Sequence, residues 1–572
     1  MRQRRELPVL ALACAVTAHK TSVSLSKLNI PQCGDGASIK HAPTYSSFSF
    51  EPAFWVEFFG NASSPNTFTF NAIDILHEHG GRPSIRPGGI TMDSMIFEPE
   101  ASDPVRTTNE KGGVYRTTVG PAYYESWSNF PERTEFVSTL NFGNESLDIA
   151  RDMAVASIKY QPDLVKYFEL GNEPTNYDPD RWANSTENYV KQWQEYTSAI
   201  DAAVNAEAGQ AISSRLGTAR WWASSATTDE TPLHVRPADI IPAGIDSQNQ
   251  VSEYSIHSYA FATCDPERLA LATIPNILNH TGLREYADTE IVPSANAALA
   301  AGQPWIIGEF NSIACSGNPN VSDTFAQALW EVDTELIYAV RNASACYLHQ
   351  GATLVFQSNQ QSNTAGDDGS PGFSTSSMLY PITSSKRGPQ RVNPGFAGLV
   401  FLAEAFAQEG TRVSALVTPE DLSEDHFSAY AFYSGEEDKL SKLALINMRP
   451  FYANSTQDYT VSFNIFEGQQ ANNGAHGGRY GARRHRPRAW IKRLTAPYVD
   501  EKDSDKVMWA GQSFRNATAS GEVEVEEIGA DGVVSVRGSE AVLVFYDRDE
   551  VYGLSSGDDK HKGFWQKWSK WW

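Results

Sequence analysis

The chain has 572 residues, room for several domains at roughly 150 residues each, or for one large barrel with a companion. Lys plus Arg number 46 against 69 Asp plus Glu, a net charge of −23 that repels phosphate backbones and anionic lipid and excludes a general nucleic-acid or membrane-surface binder. A hydrophobic content of 41% argues against disorder, and 14 Trp, 23 Tyr and 28 Phe suit either an aromatic core or surfaces that stack on sugar rings.

Residues 1–18 read as a secretory signal: Arg2, Arg4 and Arg5 start it, an apolar run follows, and Val16-Thr17-Ala18 offers a small-residue cleavage site. No later stretch is long enough to predict a membrane span. Eight Asn-x-Ser/Thr sequons, at Asn61, Asn144, Asn184, Asn279, Asn320, Asn342, Asn454 and Asn516, agree with a secreted chain. Beyond Cys14 in the signal, Cys33, Cys264, Cys315 and Cys346 allow three pairings and match no zinc spacing.

From about Phe48 the pattern alternates strand and helix. Phe54–Phe59 reads as a first strand closed by Glu57, Ala72–His79 as a helix stopped by Gly80-Gly81, and Ser84–Arg86 as a second strand. Glu135–Leu140, Lys166–Leu170, Tyr254–His257 and Trp305–Ile307 read as further strands. Helices are expected over Leu147–Lys159, near Glu187–Asn205 and over Phe325–Val340. Such alternation over about 300 residues predicts a TIM-type (β/α)8 barrel, whose chemistry sits at the C-terminal ends of the strands. After Gln408, runs such as Ala429–Tyr433, Lys442–Asn447, Tyr459–Ile465 and Ala541–Tyr546 between turn residues predict an antiparallel β-sandwich. The expected organisation is a signal at 1–18, a segment at 19–45 that lends Ser22–Leu28 to the sandwich, a barrel at 46–405, a sandwich at 406–550 and a Trp-rich tail at 551–572. The basic stretch Arg479–Arg493 reads as an exposed loop.

Two carboxylates stand at predicted strand ends. One is in Leu170-Gly171-Asn172-Glu173-Pro174, the other in Ile307-Gly308-Glu309-Phe310. Cleaving a glycosidic bond needs a protonated carboxyl to assist the leaving oxygen and an ionised one to attack the anomeric carbon. His77-Glu78-His79 is not a zinc motif, because adjacent spacing cannot put both imidazoles on one helix face. No nucleotide fingerprint appears, so neither metal nor cofactor is expected.

These segments, with Arg86-Pro87-Gly88-Gly89, His257-Ser258-Tyr259 and Gly308-Glu309-Phe310-Asn311-Ser312, resemble glycoside hydrolase family 79, the β-glucuronidase and heparanase group of the large retaining barrel clan. The resemblance implies Glu173 as acid/base and Glu309 as nucleophile. It also implies Asn172 on the sugar 2-hydroxyl, Tyr259 either orienting Glu309 or hydrogen-bonding the sugar ring, His257 beside it in the cleft, and Glu57 gripping sugar hydroxyls. The loop Ser312–Val321, including the Gly317 backbone, would hold a uronic carboxylate. Ala314 and Cys315 stand near the position where the family places a tyrosine, and Phe356 stands near that of another, so the sugar preference stays open. The reading is an exo-β-glucuronidase acting on oligo- or polysaccharide. An endo-acting, heparanase-like enzyme or one with another sugar is the alternative within the clan, and a catalytically silent glycan-binding protein the alternative outside it.

Overall fold

The computed structural model describes residues 25–110, 114–178, 180–351, 372–466 and 488–552. The signal, Phe356, the residues 479–487 and the Trp-rich tail after Tyr552 lie outside them. Eight parallel strands close a barrel: β1 Ser46–Phe50, β2 Ile85–Pro87, β3 Phe136–Leu140, β4 Val165–Leu170, β5 Trp221–Ala226, β6 Val251–Ser258, β7 Trp305–Phe310 and β8 Ala343–Gln350. They neighbour one another in sequence order, and β1 closes the ring between β2 and β8. The outer helices include α1 Thr67–Glu78, α2 Leu147–Tyr160, α3 Thr186–Leu216, α4 Val292–Ala300 and α5 Phe325–Ala339. Their starts follow local chemistry. Asn66, Ser146 and Ser185 each turn a side-chain oxygen onto a first-turn N–H of α1, α2 and α3.

The first strand is not where the sequence reading placed it. Phe54–Phe59 forms a helical turn and the short helix Trp55–Phe59, entered through Pro52. The true β1 is the alternating Ser46-Ser47-Phe48-Ser49-Phe50, whose Ser49 hydroxyl meets Arg86 inside the barrel. Phe50 packs outward on Phe58 and Phe59. A continuous aromatic run belonged to the layer around the barrel, and a modest period-2 pattern to its wall. β5, rich in Ala and Ser, gave no clear signal in the sequence.

After α6 Phe396–Ala405 come β9 Arg412–Ala415, β10 Phe427–Ser434, β11 Lys439–Asn447, β12 Val461–Asn464, β13 Trp490–Thr495, β14 Val533–Val536 and β15 Glu540–Phe545. One antiparallel sheet runs β9-β10-β11-β15-β13, while β12 pairs with β14. The large sheet is buried on both faces. Phe427, Ala429, Leu443, Leu445, Val542 and Val544 face a second core closed by Phe463 and Val534, while Tyr430, Phe432, Ala444, Ile446 and Leu543 join the barrel's core. The N-terminal segment adds three bridges, Ser26 to Phe463, Cys33 to Lys439 and His41 to Thr411, and buries Leu28 and Ile30 in the second core.

The expected basic loop is corrected in its described part. Trp490–Thr495 is an interior strand of the sheet, its Lys492 paired with Glu404 and its Arg493 with Glu526 and Glu540. Partners supplied from other elements turned charges that looked solvated into structural ones. Among the described residues no helix is long and apolar enough to cross a membrane.

Candidate active site

A cavity of about 450 Å³ opens at the C-terminal ends of the barrel strands, with Asn172, Glu173, His257, Tyr259, Glu309 and His349 in its wall. The glycines in the motifs have steric reasons. A side chain at Gly308 would run into the Ser255 hydroxyl at 2.1 Å, so β6 and β7 approach only because that position is bare. Gly171 has φ +83, and a Cβ there would meet the Tyr177 hydroxyl at 2.5 Å. Glu173 itself has left-handed backbone, φ 52 and ψ 63. That conformation is costly for a residue with a Cβ, and Pro174 disfavours the ordinary helical one.

An oxygen of Glu173, an oxygen of Glu309 and a ring nitrogen of His257 lie within 4.8 Å of one another. The two carboxyls live in opposite surroundings. Glu309 accepts from Arg86 Nη1 at 2.8 Å on one oxygen and from the Tyr259 hydroxyl at 2.9 Å on the other, with His349 Nδ1 3.6 Å away. Burial alone would raise its pKa, but the cations His349 and Arg86 beside it hold it down to about 2. Glu173 accepts from Asn176 Nδ2 at 2.9 Å and meets His257 Nδ1 at 3.1 Å. Burial, then the charge of Glu309, then that of Asp229, push its pKa up to about 8. His257 is pushed down to about 4, chiefly by burial, and so is a neutral neighbour. The His257–Glu173–Glu309 trio has metal-ligand atoms, but Arg86 and Tyr259 already take both oxygens of Glu309.

Arg86 is wholly buried and organises this end of the barrel. Besides Glu309 it donates to Glu169 at 2.6 Å, the Ser49 hydroxyl at 2.9 Å and Asn172 Oδ1 at 3.0 Å. Gly88 lies directly over its guanidinium, where a Cβ would come within 2.6 Å. Asp93 braces the end of β4 from below. It accepts from the Tyr177 hydroxyl and the Asn172 N–H, and burial raises its pKa to about 7.

Two expected binding residues stand elsewhere. Glu57 lies in the helix Trp55–Phe59, outside the cavity wall, because β1 ends earlier. The acid at that strand end is Glu51, which lines the cavity, accepts from the N–H groups of Ile90 and Thr91, and stands 3.7 Å from His349. The Gly317 N–H is spent within its own loop on the Ile313 carbonyl, and the residue packs against Thr375 and Ser376 rather than lining the cavity. Ala314, Cys315 and Ser316 line it instead, and Cys315 is bonded to Cys264. Glu51, Glu169 and His349 were missed. Glu51 follows the alternating Ser46–Phe50, and Glu169 and His349 sit inside β4 and β8, so none stands behind the glycine that marked Glu173 and Glu309.

A family model described as "Glycosyl hydrolase family 79 C-terminal beta domain" matches residues 429–543. The chain is similar to a β-glucuronidase of Aspergillus niger, 27% identical over 474 residues that cover 78% of this chain and 79% of that protein. It is also similar to a β-glucuronidase of Neurospora crassa, 27% identical over 337 residues, 55% and 58% of the two chains. In fold it resembles a 4-O-α-L-rhamnosyl-β-D-glucuronidase from Fusarium oxysporum 12S, with TM-score 0.69 and 18% identity over 91% of this chain and 100% of that one. A family 51 α-L-arabinofuranosidase from Bifidobacterium longum shares the architecture at TM-score 0.55 and 14% identity, over 91% and 99%. The closed barrel, the antiparallel C-terminal sheet and these relatives make the chain similar to the β-glucuronidases of glycoside hydrolase family 79, whose C-terminal β domain model it matches.

Proposed function

We propose that this glycoside hydrolase is a retaining exo-β-glucuronidase, with Glu309 as nucleophile and Glu173 as acid/base. The observation that carries the chemistry is the pair of carboxyls with oxygens within 4.8 Å, one pKa driven up and the other down. Retaining enzymes hold the two groups about 5–5.5 Å apart, whereas inverting ones need about 6.5–9.5 Å to admit a water. The sugar preference is supported by the relatives' activity alone.

In this reading Glu309 is ionised at working pH and attacks the anomeric carbon. Arg86 and Tyr259 fix both of its oxygens and so its line of approach. Glu173 carries a proton and gives it to the leaving oxygen as the C–O bond breaks. The glycosyl ester on Glu309 is then hydrolysed by water, which Glu173, now ionised, deprotonates. The rise in the Glu173 pKa owes part of its size to the Glu309 charge, and that charge disappears in the ester. The same carboxyl therefore becomes a weaker acid-holder when it must act as base. Asn172 lines the cavity with its Oδ1 held by Arg86, and in this reading its amide N–H groups meet the sugar hydroxyl beside the anomeric carbon.

A panel of nitrophenyl glycosides, with β-glucuronide and its 4-O-methyl form, tests the assignment. Turnover of the β-glucuronide with a β-configured first product in NMR is expected, and Glu309→Gln should lower it at least ~10³-fold without loss of fold. An α-configured first product, or near-normal turnover by a folded Glu309→Gln variant, overturns the mechanism.

We propose secretion as well. None of the eight sequon asparagines is buried, and Cys264 and Cys315 form a disulfide, which persists in oxidising compartments. Detection of N-glycans on the natural protein in culture medium is the test.

A further inference from the structure

We propose that the cleft continues on the Glu173 side into a second groove that binds further sugar units of the leaving group, and that these units are uncharged. The proposal rests on the hydrolase reading above, and sidedness comes from it. The proton donor faces the leaving oxygen, so the wall beyond Glu173 faces the aglycone. That wall consists of Asn176, Thr227, Thr228 and Asp229, in the turn after β4 and the loop after β5. Asp229 belongs to this wall and also to a neighbouring cavity of about 140 Å³, lined by residues 229–236 and the first turn of α4. Thr175, in the second cavity, meets the Thr227 hydroxyl of the first at 3.4 Å. The two cavities thus share a border along one edge of the barrel mouth, formed by Asp229 and the Thr175–Thr227 contact, on the side where a chain leaving C1 must run.

The chemistry of the second cavity selects its occupant. Asp229, Glu230, Asp239 and Glu290 stand in or at its wall, against Arg236 and His234. The Arg236 guanidinium is committed. It donates to the carbonyls of Thr227, Thr228 and Asp229 and lies 3.7 Å from both Glu230 and Glu290. Arg268, at the junction, pairs with Asp229 at 2.8 Å and donates to the Tyr259 carbonyl. The carboxylates still face solvent: the Glu230 side chain is 84% exposed, and that of Asp229 is 54% exposed although paired with Arg268. Sugar hydroxyls donate well to carboxylates, so a neutral chain finds acceptors along the groove. A sulfated or uronate-rich chain meets like charge instead, and such juxtaposition suppresses a wrong partner. This wall argues against a heparan-type chain on the leaving side.

Chain-length kinetics on the unaltered enzyme decide the matter. With β-glucuronosyl-terminated oligosaccharides carrying one, two or three neutral hexoses, kcat/KM should rise about tenfold across the series, as remote binding is drawn on at the reacting bond. Leaving chains of equal length bearing sulfate or uronate should be poorer than the neutral ones, and the gap should narrow as salt is raised, since screening shortens to about 3 Å at 1 M. In Glu230→Lys/Glu290→Lys the ratio of neutral to anionic kcat/KM should fall at least about tenfold, a ratio in which any general loss cancels. Turnover of nitrophenyl β-glucuronide with kcat/KM flat in chain length, or equal for neutral and anionic chains, overturns the groove and leaves the hydrolase standing. No turnover of any aryl or oligosaccharide β-glucuronide overturns both.

Discussion

Glu173 is held in a backbone conformation that costs of order 1–3 kcal/mol, and its carboxyl keeps a proton to about pH 8. In the proposed mechanism both features serve a group that must point at a leaving oxygen while protonated, and Glu309 must be ionised. The pH profile follows with its sign. Activity needs Glu309 ionised, which holds above about pH 2, and Glu173 protonated, which holds below about pH 8. The result is a bell whose limbs belong to the pair. Glu173→Ala should abolish the basic limb, spare the first step for dinitrophenyl glycosides, and cripple substrates with alkyl leaving groups by about 10²–10⁴-fold. Azide should restore the second step and yield a β-glycosyl azide. Equal slowing of good and poor leaving groups would make Glu173 a positioning residue and send the search for the acid to Asp93. Both glutamates were legible because a short apolar strand, a glycine and an acid occur in that order. Arg86 and Glu169 were harder to assign, because an arginine's partners depend on strands 83 and 223 residues away in sequence.

At the scale of elements, α5 carries an unusual burden. Phe325–Ala339 is buried throughout, polar residues included. Asp333 is satisfied by His280, Ser428 and Tyr430, which tie the helix to the β10 strand. Glu331 and Glu335, one turn apart, are not so served. Among the described residues, both oxygens of Glu331 and one of Glu335 find no donor partner, a need that a retained proton between them meets. Burial lifts the Glu335 pKa to about 8 and that of Glu331 well above its normal range. Raised in the folded state, the Glu335 carboxyl gives stability that is complete below about pH 4.5 and is lost as pH rises through about 8, and Glu331 acts with the same sign. Glu335→Gln removes one such titration, so its melting temperature relative to the unaltered protein should climb between pH 5 and pH 8. A constant offset across that range would show that the pair is ionised throughout. The helix itself was readable from sequence, as were α1 and α2. Its being buried on every face was not, because that depends on the sheet that covers it. The same cause hid β13: Lys492 and Arg493 look like loop residues until Glu404 and Glu526 are set beside them.

For the whole molecule, the large C-terminal sheet has no free face, since alternate residues of β10, β11 and β15 serve two cores. Glu404 at the end of α6 marks the seam. Its carboxylate accepts from Lys492 at 2.8 Å and Trp509 Nε1 at 3.0 Å, and it meets His79 at the end of α1. Barrel and sheet should therefore unfold in one transition. Lys492→Met strips the buried carboxylate of its lysine partner at a cost of about 3 kcal/mol. It should lower that single transition as seen by both tryptophan fluorescence and activity. Separate transitions, or a shift in only one probe, would mean that the modules fold independently. Alternation in the sequence predicted strands here, but the near-continuous apolar runs of β11 and β15 already hinted at burial on two sides.

The disulfide between Cys264 and Cys315 spans 51 residues and lines the cleft rather than the core. It ties the loop after β6 to the loop after β7, so the segment it closes includes Glu309 itself. A loop of that length is restrained in the unfolded chain by about 4 kcal/mol on the entropy argument. Its position gives it a second effect. Part of the rim of the opening is covalent structure, so the spacing of these two loops across the cleft is fixed by a bond and not by packing alone.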